Sequence, residues 1–281
     1  MYTITTADQT QLFVKDWGTG RPVILISGWP LSSDSWDDQA MALAEAGYRV
    51  ISYDRRGFGR SSQPWSGYDY DTLADDLAAV IQQTGVEGVT LVGFSMGGGE
   101  IARYMSRHGG KSVSKAVLIS SVVPYMLKTT DNPDGIDEAH FFNMTQDINE
   151  DRAQFFAGFF KSFFGIGLIA QPVSEALIEW ARGMAMQASL KATLACAHSF
   201  STTDFRPDLA AFKVQTLIIH GTNDKTVPVS MSRATAQAIA GSTLIEYEDA
   251  PHGLFATAKD RLSRDLLNFL QDSNSAAHTQ P

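Results

Sequence analysis

Gly93-Phe94-Ser95-Met96-Gly97 places a serine between glycines two residues before and two residues after it, where an apolar run (89–93) meets a helical pattern (96–108). Glycines at those positions let the chain turn sharply from strand into helix, so the hydroxyl stands clear of the sheet with a helix N-terminus behind it. A glycine-rich packing turn with an ordinary serine is the plain alternative. An unaided hydroxyl is a poor nucleophile and needs a base and an acid to orient that base. Two loops offer them: Asp224 follows the apolar run 216–221, and His252 follows the run 242–247. Ser95, Asp224 and His252 then all sit at carboxyl ends of parallel strands, the edge where open α/β sheets place their sites. Their order in the chain, Ser, Asp, His, suits that arrangement.

Other groups fit less well. Asp204 and Asp249 are the competing acids, the first at the end of an insertion and the second on the approach to His252. His220 lies in a buried run and reads as a core or supporting residue. His108 ends a helix, His140 and His198 lie in the insertion, and His278 is in the tail. No pair has metal-ligand spacing. Acyl transfer also needs amide donors for a tetrahedral oxyanion. The Met96 amide, directly after the serine, is one. The second belongs in the loop Ser27-Gly28-Trp29-Pro30, where Pro30 has no N–H and biases Trp29 toward an extended backbone. Trp29 is the remaining donor, although its ring can also seal the sheet edge.

Short runs apolar on both faces at 22–27, 48–53, 89–93 and 113–120 read as central parallel strands, with helical patterns at 36–45, 71–84 and 96–108 between them. Alternating runs at 2–5 and 12–17 suggest an edge hairpin. The rhythm breaks after residue 120 and resumes at 216, then gives a helix at 230–239, a strand at 242–247 and a helix near 256–270. The expected architecture is a mostly parallel eight-stranded sheet flanked by helices, with residues 1–123 and 208–272 as core and 124–207 as a helical cap. A polar tail, 273–281, is expected to be frayed. The cap holds Phe155-Phe156, Phe159-Phe160 and Phe163-Phe164, pairs recurring every four residues on an aromatic-faced helix. Those rings either pack the cap onto the sheet or line an apolar pocket, in which Phe159 is a candidate wall; different faces can do both.

The 281 residues are 44% hydrophobic and 19% charged, which sets aside disorder and fibrous folds. Cys196 is the only cysteine, so no intrachain disulfide and no multi-cysteine metal site is expected. With 22 basic and 31 acidic residues the net charge is −9, which repels nucleic-acid backbones and anionic membranes. Residues 1–8 lack a secretory signal, and no run is long enough to span a bilayer. A cytoplasmic protein with no nucleic-acid or membrane partner is expected.

In these motifs the chain resembles the α/β-hydrolase superfamily, and within it the cofactor-free haloperoxidase, perhydrolase and aryl esterase group. The markers are Gly28-Trp29-Pro30-Leu31-Ser32, Tyr53-Asp54-Arg55-Arg56-Gly57-Phe58-Gly59-Arg60-Ser61-Ser62, Gly93 to Glu100, Thr203-Asp204-Phe205-Arg206, His220-Gly221 and Pro251-His252-Gly253. The resemblance implies Ser95 as nucleophile, His252 as general base and acid, Asp224 as its partner, the Trp29 and Met96 amides as oxyanion donors, and no metal or other cofactor. It suggests Tyr125, Val227 and Leu254 as pocket walls beside Trp29 and Pro30. Many relatives carry histidine where this chain has Ser27, which changes the hydrogen bonding behind the oxyanion loop. The loop 54–62 reads as structural. Relatives that open carbon–halogen bonds or epoxides use aspartate at the nucleophile position, so Ser95 favours acyl transfer.

The expected activity is hydrolysis of small aryl or alkyl esters through an acyl-enzyme, with water or hydrogen peroxide as acceptor. The resemblance suggests that the Trp29 carbonyl, presented by Pro30, accepts from peroxide. An amidase or γ-lactamase with the same triad is the alternative, and a non-catalytic ligand-binding protein on this scaffold is a third reading. Relatives often associate, so a homo-oligomer is also possible.

Overall fold

The computed structural model describes residues 2–168 and 170–271. The tail expected at 273–281 lies outside the described residues. Eight strands form one sheet: β1 (Tyr2–Thr5), β2 (Gln11–Trp17), β3 (Pro22–Ile26), β4 (Arg49–Tyr53), β5 (Val89–Phe94), β6 (Val113–Ile119), β7 (Gln215–Gly221) and β8 (Thr243–Tyr247). Their spatial order is β1-β2-β4-β3-β5-β6-β7-β8. The β1–β2 hairpin joins β4 antiparallel, and every other neighbouring pair is parallel. The central strand β5 is buried at all six positions, as expected for a sheet covered on both faces.

Helices α1 (Asp37–Glu45), α2 (Tyr70–Thr84) and α3 (Met96–Arg107) follow β3, β4 and β5. Asp69 caps α2 by accepting from the Thr72 amide, and Gly85 ends it in a left-handed conformation. Between β6 and β7 the chain inserts α4 (Glu138–Phe163), α5 (Glu175–Gln187) and α6 (Leu190–Thr202). Helix α7 (Val229–Ala238) then precedes β8. The single helix expected near 256–270 is two, α8 (Leu254–Thr257) and α9 (Lys259–Gln271). No helix among the described residues is long and apolar enough to cross a membrane.

The paired phenylalanines all fall on or beside the end of α4; the first two pairs divide between two faces and the third is buried whole. Phe156, Phe160, Phe163 and Phe164 are fully buried, each ring contributing about 1.5–3 kcal/mol of burial. Phe155 and Phe159 remain partly exposed on the neighbouring face. Helix α4 is kinked at Asp151 (φ −151°, ψ 89°), whose carboxylate accepts from the Gln154 amide and starts a second helical segment. The second segment carries Phe163, whose ring meets Phe94 of β5 with centroids 5.9 Å apart.

Candidate active site

Ser95 occupies the turn between β5 and α3 with φ 53° and ψ −116°, a backbone region that a side chain-bearing residue adopts only when its surroundings hold it there. Its flanking glycines have a steric cause. A Cβ on Gly93 would stand 2.6 Å from the Gly97 carbonyl oxygen, and one on Gly97 would stand 2.6 Å from the Ile26 carbonyl oxygen of β3. The turn is fixed by hydrogen bonds from the Ser95 amide to the Ile119 carbonyl (2.8 Å) and from the Gly98 amide to the Ser95 carbonyl (3.0 Å).

The loops after β7 and β8 bring Asp224 and His252 to this hydroxyl. His252 Nε2 lies 3.0 Å from Ser95 Oγ, and His252 Nδ1 lies 2.6 Å from Asp224 Oδ2. A carboxylate beside Nδ1 puts the hydrogen there, leaving Nε2 to accept from the serine. All three side chains are buried. The imidazole is held between two rings, Phe94 with centroids 5.0 Å away and Phe163 of α4 at 4.9 Å. The Gly253 amide donates to the Phe163 carbonyl (3.0 Å), so the cap also fixes the backbone beside His252.

Asp224 is surrounded by donors. Its Oδ1 accepts from the amides of Thr226 and Val227, each at 2.8 Å. His220 Nε2 faces both the Val227 carbonyl (2.9 Å) and Asp224 Oδ2 (3.2 Å), a shared arrangement that puts its hydrogen on Nε2. Nδ1 of His220 then accepts from the Ser232 hydroxyl at 2.6 Å. Burial pushes the Asp224 carboxyl up, but the charge of His252 and the hydrogen bonds from His220 and His252 outweigh it. The carboxyl is held well below the usual carboxylate range. The buried His220 expected in the core or as a supporting residue therefore touches Asp224 directly. His220→Gln should lower kcat/KM for an ester about three- to tenfold, the scale of weakening one hydrogen bond by about 1 kcal/mol. Steady-state rates with an activated ester check this.

A cavity of about 350 Å³ opens on Ser95. Trp29, Phe159 and Val227, expected as walls, line it together with Phe155, Phe200, Val122, Met126 and Met144. Trp29 is fixed by a hydrogen bond from its indole Nε1 to the Thr193 carbonyl (3.0 Å) and by edge contacts with Phe159 (5.4 Å) and Phe200 (5.5 Å). Pro30, Tyr125 and Leu254 do not line the cavity, correcting that expectation. Pro30 is buried in the turn after β3, closed by the Leu31 amide on the Gly28 carbonyl. The Tyr125 ring is drawn away beneath the Arg206 guanidinium, 5.2 Å from its centroid. Leu254 is fully buried at the start of α8. The first segment of α4 adds His140, Phe141, Asn143, Met144 and Asp147 to the wall, a contribution unseen in the sequence. Its only signal was the apolar spacing of Phe141, Met144 and Ile148.

The amide of Met96 opens α3, where an N–H has no acceptor within the helix. Trp29 shares the cavity wall with Ser95, and a Cβ on the preceding Gly28 would lie 3.0 Å from Ser95 Cβ. The loop after β4 is tied inward: Asp54 accepts from the Ser33 amide (2.9 Å) and from Arg60 Nε (2.8 Å). Asp204 is occupied by Arg206, and Asp249 is bonded through its backbone to Thr222. Neither competes for His252. Among the described residues, no group of three potential metal ligands is found.

Residues 21–259 match the family described as alpha/beta hydrolase fold. A non-heme chloroperoxidase of Kitasatospora aureofaciens is 41% identical over 269 residues, covering 95% of this chain and 98% of that protein. A bifunctional esterase/perhydrolase of Acinetobacter calcoaceticus is 41% identical over 277 residues, covering 95% and 99%. The crystal structure of a bromoperoxidase from Bacillus anthracis superposes with a TM-score of 0.93 at 46% identity, over 96% of this chain and 99% of that one. Taken with the eight-stranded sheet, the helical insertion and the serine at the β5 turn, these likenesses show that the chain belongs to the α/β hydrolases, in the group of non-heme haloperoxidases and esterase/perhydrolases.

Proposed function

We propose that the protein is a serine esterase that cleaves small carboxylic esters through an acyl-enzyme on Ser95 and passes the acyl group to water or hydrogen peroxide. The observation that carries this reading is the continuous relay from Asp224 through His252 to Ser95, with contacts of 2.6 and 3.0 Å, opening on an apolar cavity. His252 Nε2 takes the Ser95 proton as Oγ attacks the ester carbonyl. The oxyanion is received by the amides of Trp29 and Met96, each such donor being worth about 3–4 kcal/mol. The carbon–oxygen bond to the leaving group breaks, and His252 returns the proton to the departing alkoxide. Water then attacks the acyl-enzyme with His252 again as base, giving the acid and free Ser95. Hydrogen peroxide in the same position gives the peracid, which oxidises halide to hypohalite and is itself reduced to the acid. Non-heme haloperoxidase and esterase/perhydrolase relatives support this second branch.

The cavity is at the small end of ligand sites, which run from about 300 to 1,000 Å³. A panel of p-nitrophenyl esters with two- to eight-carbon acyl groups, with and without peroxide, tests the reading. Short acyl groups should be preferred and peracid should form when peroxide is present. Absence of turnover across the panel would defeat it. Phe159→Ala should raise kcat/KM for the octanoate relative to the acetate by about tenfold, since one or two methylenes accommodated in an apolar pocket are worth that much. An unchanged ratio would remove Phe159 from the acyl site.

A further inference from the structure

Arg55 and Glu100 stand outside the triad and the cavity, yet both are completely buried beneath it. Glu100 is on α3, four residues after Met96 and so one turn further along the same face. One of its carboxylate oxygens accepts from Arg55 Nε (2.6 Å), and the other accepts from the hydroxyl of Tyr53 at the end of β4 (2.8 Å). The Arg55 Nη2 nitrogen also donates to the Ser27 carbonyl (2.6 Å), two residues before Trp29. A single guanidinium therefore bridges the segment bearing the Trp29 amide and the helix bearing the Met96 amide.

The surrounding contacts make that bridge stiff. A Cβ on Gly97 would collide with the Ile26 carbonyl, so the first turn of α3 already lies against the end of β3. The Met96 carbonyl accepts from the Tyr70 hydroxyl at 3.2 Å. The Ser27 hydroxyl has no hydrogen-bond partner among the described residues. The loop is thus secured through the Ser27 main chain rather than through its hydroxyl.

We propose that Arg55 and Glu100 are positioning residues whose ion pair fixes the separation of the Trp29 and Met96 amides, and so sets how well the tetrahedral oxyanion is held. Neither group touches substrate. Their effect passes through two backbone donors, which must be placed for the oxyanion rather than for the ground-state carbonyl. Because the pair acts at the transition state, weakening it lowers kcat and leaves KM nearly alone.

The inference rests on the esterase reading, and the test separates the two. Wild type, Glu100→Gln and Tyr53→Phe are assayed with p-nitrophenyl acetate and titrated with benzeneboronic acid, which forms a tetrahedral adduct on an activated serine. Glu100→Gln keeps the side chain's shape but removes its charge, and kcat should fall about tenfold to a hundredfold, short of losing a whole oxyanion donor. KM should stay within about twofold, and boronate affinity should fall in parallel with kcat. Tyr53→Phe, which leaves the ion pair whole and covers the case of a misfolded glutamine variant, should give a smaller drop of about threefold in both. Unchanged kcat and boronate affinity in the folded variants, or a loss confined to KM or thermal midpoint, overturns the proposal. Wild type that neither hydrolyses the ester nor binds boronate overturns the esterase reading and the inference with it.

Discussion

Ser95→Ala should lower kcat for p-nitrophenyl acetate by about 10⁵-fold or more, the scale seen when the nucleophile of a serine triad is removed. The fold should be little changed. Alanine must adopt the same φ of 53° that Ser95 holds, so the substitution neither relieves nor adds backbone strain at the turn. What is lost is the 3.0 Å hydrogen bond to His252 Nε2, at a cost of about 1 kcal/mol. Rates and thermal unfolding measured on the same preparation check both halves. Residual activity above about one per cent in a clean preparation would mean that another group carries the acyl transfer, since triad variants lose far more.

Asp224→Asn should reduce kcat by about 10⁴-fold while Ser95 and His252 remain in place, because an amide cannot hold a hydrogen on His252 Nδ1 as a carboxylate does. The asparagine NH₂ would face imidazole hydrogens from both His252 and His220, where the carboxylate oxygen accepted. This second donor makes the substitution costly to stability as well, by about 3 kcal/mol for breaking a buried charged network. The pH dependence has a definite sign. Asp224 titrates below its ordinary value in the folded protein, so the ionised carboxylate stabilises the fold fully above the unfolded pKa of about 3.9. That contribution fades as pH falls through the depressed folded value. The stability gap between wild type and Asp224→Asn should therefore be largest near neutrality and narrow below about pH 4. Denaturant midpoints at pH 7 and pH 3 read it directly; a gap that widens in acid would contradict the hydrogen-bond assignment.

The parts of the molecule legible in the sequence are those governed by local pattern. Strands β3, β5, β6 and β7 are apolar on both faces, so their existence and parallel pairing follow from short hydrophobic runs separated by helical periods. Ser95 and Asp224 are readable for the same reason, each following such a run, and His252 follows the edge strand β8; parallel strands deliver their carboxyl ends to one edge. The cap obeys no such rule. Its α4 changes direction at Asp151, where a side chain caps a new segment, and no hydrophobic period marks that break. Tyr125 lies off the cavity because its ring answers to Arg206, 81 positions away, a pairing that only the tertiary fold creates. Arg55 and Glu100 were hidden likewise. Two charges 45 residues apart in sequence carry no sign that they meet in the interior, and the loop 54–62 reads as structural without saying what it supports.

The proposed activity depends on one serine being made reactive by one histidine, and covalent labelling tests that most directly. Folded protein treated with a fluorophosphonate should gain a single adduct, mapped by peptide mass spectrometry to the segment containing Ser95. Excess ester substrate should slow the reaction, and Ser95→Ala should abolish it. A folded wild-type sample that gains no adduct, or gains it on a different serine, would contradict the account.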